Sequence, residues 1–145
     1  MVGRRKKTET WTLEDLISCS YLNLAVSIDG DPHCIPIRHL LLGKTLYFCR
    51  EGKNKTKFPL PDDAKVCLCG IVEELQGDVT MLPSFSVIRA YGTVEQVTGP
   101  EELRQALFGL HVRHTNSDDK QDAWLFSRNE KWIVYKVTID RVMGE

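Results

Sequence analysis

Tyr21-Leu22-Asn23-Leu24-Ala25-Val26-Ser27-Ile28-Asp29-Gly30-Asp31-Pro32 is the stretch whose pattern decides the fold. Leu22, Leu24, Val26 and Ile28 alternate with Tyr21, Asn23, Ala25 and Ser27, the period of two expected of a half-buried strand. Asp29 to Pro32 then turns the chain, as a hairpin connection requires. The same reading gives a second strand over 34–42 and a third over 45–50, on either side of the turn Gly43-Lys44, so that the first three strands read as a meander. A fourth strand is expected over 65–73, rich in Val, Cys, Leu and Ile, a fifth over 83–97, and a sixth over 132–139.

Helical signals are few. Thr12 and Asp15 have capping-box spacing ahead of Leu13, Leu16 and Ile17, so one short helix precedes the strands. A second begins near Pro100, with Thr98 and Glu101 at capping-box spacing and a stripe of Leu103, Leu107 and Leu110 that reads as packing surface. Residues 111–120 read as an exposed loop, with His111 and His114 as surface residues at the helix end, and 121–127 as a turn of helix.

Six antiparallel strands and short helices within 145 residues predict a mainly β, α+β fold: a closed barrel, in which no long sheet edge is left unpaired. Periodicity alone does not separate an OB-like, an SH3-like and a split barrel. Residues 1–10, with Arg4-Arg5-Lys6-Lys7, read as a basic disordered tail, and 11–145 as one domain.

The net charge of −1 argues against the broad positive field of a nucleic-acid binder. No apolar run reaches the roughly 18 residues of a membrane span, and no apolar stretch follows the basic start as in a secretory leader, so the expected location is cytoplasmic. Five cysteines without a CxxC pair fit neither a disulfide framework nor a four-ligand zinc site. Cys67 and Cys69 alternate with Val66 and Leu68 and read as small hydrophobes on one strand face. No Ser-His-Asp arrangement is visible, and no catalytic or metal-binding residue is assigned. His39, on a strand of Ile and Leu, reads as a hydrogen-bonded structural histidine, with an acid or base role as the alternative.

Arg50-Glu51-Gly52-Lys53-Asn54-Lys55-Thr56-Lys57 places four cations against one acid at a strand exit. A phosphate monoester needs such charges, and glycine lets backbone N–H groups approach it; a solvated loop would look the same.

In order and spacing, Asp29-Gly30-Asp31-Pro32-His33-Cys34-Ile35-Pro36-Ile37, Gly43-Lys44-Thr45-Leu46-Tyr47-Phe48, Glu51-Gly52-Lys53-Asn54-Lys55, Ser86-Val87-Ile88-Arg89-Ala90-Tyr91-Gly92 and Val137-Thr138-Ile139-Asp140 resemble segments of one family. That family is the FMN-binding split-barrel superfamily of pyridoxamine 5'-phosphate oxidase, and within it the branch of nitroimidazole-resistance-like proteins. The resemblance implies a six-stranded antiparallel split barrel and a homodimer holding FMN at its subunit interface. It implies that Lys53, Asn54 and Lys55 grip the phosphate, assisted by Arg50, and that Pro36, Ile37, Arg38 and His39 lie along the ring. Cys49 and Glu51 stand where the branch has a His-Ser-Ala-like segment, so the histidine of that segment is absent here. Three functions remain open: an FMN-dependent oxidoreductase acting on a small aromatic or nitro compound, with a small-molecule electron donor or acceptor; a non-enzymatic flavin or haem binder; and a barrel for single-stranded nucleic acid. Trp124 or Trp132 would cover the flavin or the dimer interface, or pack at the core edge.

Overall fold

A computed structural model describes residues 12–52, 60–74, 84–115 and 119–144. A 3-10 turn, Leu13–Leu16, precedes the hairpin β1 (Leu22–Ile28) and β2 (Asp31–Ile37). A second hairpin follows, β3 (His39–Leu42) and β4 (Thr45–Glu51), then β5 (Ala64–Glu74) and β6 (Ser84–Gln96). Two helices, α1 (Pro100–His114) and α2 (Lys120–Ser127), lead into β7 (Trp132–Gly144). All pairings are antiparallel, in the order β2-β1-β5-β6-β7-β4-β3.

The expectation of six strands, the first three a meander, is corrected to seven, because the segment 34–42 is two strands that share one joint. β2 ends at Ile37 on one edge of the sheet and β3 begins at His39 on the other, so a single residue, Arg38, links the two edges and curls the sheet into a barrel. The hydrophobic period could not reveal this. Ile35, Ile37, His39 and Leu41 all pack toward the interior, so alternation runs unbroken through Arg38 while the hydrogen-bonding partner changes from β1 to β4.

Both hairpin turns have two residues. Asp29 and Gly30 carry φ of 52° and 86°, as a turn matched to strand twist requires, and Gly43 carries φ of 64°. The interior is filled by Leu22, Leu24, Leu46, Phe48, Leu68, Ile88 and Val137, all buried, with Phe48 stacked on Tyr135 at a centroid separation of 5.4 Å. Val66 and Leu68 belong to this core, whereas Cys67 and Cys69 alternate onto the opposite, half-exposed face. All five cysteines are free thiols.

Gly99, rather than Thr98, caps α1, without a side-chain cap bond; Pro100 takes the first turn, with Glu101 and Glu102 beside the positive helix end. The helix lies against the outer side of β3, β4 and β7, where Leu107 and Ala106 pack with Tyr47 and Val134. Leu40 fills the space left by Gly109, where a Cβ would stand 2.5 Å from the leucine Cδ2 and push that side chain aside. The helix runs on to His114, past the point where the sequence predicts a loop, and its last turn holds His111, Arg113 and His114.

Candidate functional site

The joint at Arg38 opens a cleft. β2 leaves it along one edge, and β4 extends past the His39↔Phe48 pair over Cys49, Arg50 and Glu51 with β7 alone beside it. The two strands diverge as the arms of a V, and a cleft of about 640 Å³ lies between them. One wall is Ile35, Pro36, Ile37 and Arg38; the other is Cys49, Arg50 and Glu51. The end of α1 contributes Leu110, His111 and His114 with Thr115, and Phe126 and Trp132 close the side. His111, Phe126 and Trp132 form an aromatic ladder with ring centroids 5.2 and 5.3 Å apart. Trp132 keeps its indole N–H buried without a partner among the described residues.

The lining carries two cations, Arg38 on one wall and Arg50 on the other, and one carboxylate, Glu51. Burial lowers the Arg50 pKa, with nearby Tyr135 acting in the opposite sense. Burial pushes the Cys49 thiol up to about 11, so it stays protonated and is no nucleophile at neutral pH. His39 is fully buried, and its Nε2–H donates to the Leu16 carbonyl at 2.7 Å. Burial lowers its pKa to about 4; the Leu16 hydrogen bond opposes this, and Arg113 and His114 add to it. His114 Nε2–H donates to the His39 carbonyl at 2.7 Å, and its pKa is lowered by burial, against the effect of that bond, and by Arg113 and Arg38. Arg113 ties the same corner to the N-terminal turn through the carbonyls of Ile17 (2.9 Å) and Cys19 (3.0 Å).

Of the residues named from sequence, Pro36, Ile37, Arg38, Cys49, Arg50 and Glu51 are brought together on this cleft. His39 is turned into the barrel interior. Lys53, Asn54 and Lys55 lie outside the described residues; they follow Gly52, whose N–H donates to the Lys131 carbonyl at 2.8 Å. His111 and His114, read from sequence as surface groups, instead line the cleft. His111 stands four residues after Leu107 and His114 four after Leu110, and that spacing was the available sign, since it sets them on the packed flank of the helix. Trp132 lines the cleft, whereas Trp124 is half exposed beneath Arg128. Among the described residues no group of three His, Cys, Asp or Glu side chains could hold a metal, and no helix is long and apolar enough to cross a membrane. The arrangement suits a flat, largely apolar ligand with polar or anionic edges.

No protein-family model and no curated protein sequence matches the chain. Solved structures do. A candidate 5-nitroimidazole antibiotic resistance protein of Bacteroides thetaiotaomicron is 17% identical, with a TM-score of 0.60 over 89% of this chain and 78% of that one. The FAD-binding protein of Mycobacterium smegmatis is 13% identical, TM-score 0.59, over 90% and 87%. The haem storage protein of Vibrio cholerae is 10% identical, TM-score 0.62, over 90% of each chain. Identities this low speak to architecture alone: the chain shares the split-barrel fold of these proteins, the fold its sequence led one to expect.

Proposed function

We propose that the chain binds FMN in the Arg38 cleft and serves as an FMN-dependent oxidoreductase for a small aromatic or nitro compound. The observation that carries this reading is the cleft itself: apolar arms from β2 and β4, an aromatic ladder along one side and two guanidinium groups, in a volume suited to a cofactor. Pro36, Ile37 and Trp132 would hold the ring, and Arg38 would stabilise negative charge at its edge. Lys53, Asn54 and Lys55, next in the chain after the β4 arm, would take the phosphate. When bound, the flavin supplies hydride or electron transfer, while the protein orients it and excludes water. The protonated Cys49 offers the cleft no thiolate nucleophile. The proteins of like fold that bind FAD or store haem support cofactor binding.

The homodimer belongs to the same proposal. Ile71, Phe85 and Met143 are each about half exposed and share the outer face of the sheet with Asn23, Cys69 and Arg89. That face runs across β1 to Pro36 on the cleft wall, so a second copy seated there would also cover the ligand.

Haem is the second reading, favoured by the two imidazoles, His111 and His114, on the cleft. One experiment separates them: titration with FMN, and in parallel with hemin, followed by tryptophan fluorescence and visible absorption. FMN should quench saturably with loss of most of the quenching in Trp132→Phe. A saturable Soret shift with hemin and none with FMN would replace flavin by haem, and quenching by neither would refute the site.

A further inference from the structure

The vertex of the cleft holds a histidine whose two nitrogens are already told apart. His114 Nε2 lies 2.7 Å from the His39 carbonyl, which can only accept, so Nε2 carries the proton. Burial and the neighbouring Arg113 and Arg38 disfavour a second proton, so the ring is neutral and Nδ1 is a bare acceptor. Nδ1 has no hydrogen-bond partner among the described residues, yet it is not one of the sealed orphan atoms, which are His39 Nδ1, Arg113 Nε and Trp132 Nε1. His114 lines the cleft, so the nitrogen not engaged with the His39 carbonyl is the one it can offer to a ligand there. Arg38, a donor only, lies on the same vertex.

An acceptor beside a donor is the complement of a carbonyl next to an N–H. We propose that His114 and Arg38 together recognise the imide edge of a planar heterocycle, with His114 Nδ1 receiving the imide N–H and Arg38 donating to an adjacent carbonyl. This rests on the flavin reading of the cleft and gives it a direction. A flavin has one such edge, on its pyrimidine ring, which would point to the Arg38 vertex while the phosphate end points past Glu51. His114 is thereby a binding and specificity residue, with its tautomer held by the backbone of His39. A ligand lacking the N–H would leave Nδ1 unsatisfied in a partly desolvated place.

The test pairs a change in the protein with a change in the ligand. Riboflavin and 3-methylriboflavin, which lacks the imide proton, are titrated into wild type, His114→Gln and His114→Phe by flavin fluorescence. Glutamine retains an N–H for the His39 carbonyl, and phenylalanine retains the ring's shape. Wild type should bind riboflavin about tenfold more tightly than the methylated compound, and the preference should fall to about twofold or less in His114→Phe, whose ring offers no acceptor, while His114→Gln, whose Oε1 can still accept, retains more of it. The His114→Gln variant should keep wild-type thermal stability. A preference that persists undiminished in His114→Phe, or equal binding of both ligands by wild type, overturns the inference and leaves the flavin site standing. Wild type that binds neither compound overturns both.

Discussion

Replacing His39 by glutamine should remove a pH dependence from the protein's stability. His39 is fully buried and donates to the Leu16 carbonyl, and its pKa is lowered from 6.5 to about 4, chiefly by burial. Above pH 6.5 the ring is neutral in both folded and unfolded chains, and the stabilisation is complete. As pH falls below 6.5 the unfolded chain takes up a proton that the native interior refuses, so stability declines until the native ring protonates near pH 4. From these two values the loss between pH 8 and pH 5 is about 2 kcal/mol, rising to about 3 kcal/mol once the native ring is also protonated. The glutamine side chain would still offer an N–H to Leu16 but cannot titrate. Urea unfolding of the two proteins at several pH values gives the stability difference directly, with the midpoint gap moving by about 1 M over that range. The lowered pKa of His114 acts with the same sign in both proteins, which is why the difference is the measured quantity. A difference that stays constant within about 0.5 kcal/mol from pH 8 to pH 5 would refute the buried neutral imidazole.

Lys53→Ala and Lys55→Ala, singly and combined, should weaken FMN binding by about tenfold to a hundredfold and leave riboflavin binding unchanged; an unaltered FMN-over-riboflavin preference removes the phosphate assignment. Dilution should release flavin as the dimer dissociates, so a monomer by light scattering that still holds one flavin per chain would contradict the interfacial site. Gly92→Ala should destabilise by roughly 3 kcal/mol or more, because its Cβ would stand 2.1 Å from the backbone carbonyl oxygen of Thr138; unchanged thermal melting would contradict that packing. In iodoacetamide labelling at pH 7.5, exposed Cys34 should react first and Cys49 among the last, since burial holds the Cys49 thiol near 11; early labelling of Cys49 in a peptide map would count against the closed cleft wall.

What could be read from sequence was whatever repeats locally. The alternation of Leu22, Leu24 and Val26, the Asp29-Gly30 turn and the leucines of α1 each depend on neighbours within a few residues, and each stands in the structure in register. Arg38 was misread because its role depends on which strands flank it, and side-chain period carries no information about hydrogen-bonding partners. Pro32 and Pro36 did carry such information: neither can donate to a second neighbour, and both sit on the edge strand β2. His111 and His114 escaped notice as cleft residues because a polar helix end looks the same whether it meets water or the mouth of a barrel.

The single-residue joint also dictates when the molecule can come into being. Each hairpin beside Arg38 is local and can zip as soon as it emerges from the ribosome, but the two cannot dock together. β1 waits for β5, and β4 waits for β7, which is translated only after both helices. Until residues 132–138 arrive, the nascent chain carries the β4 arm with its partner edge bare, a template for pairing with another chain. Sheet closure is thus a late, long-range event, and the cleft cannot form before Trp132 has been made.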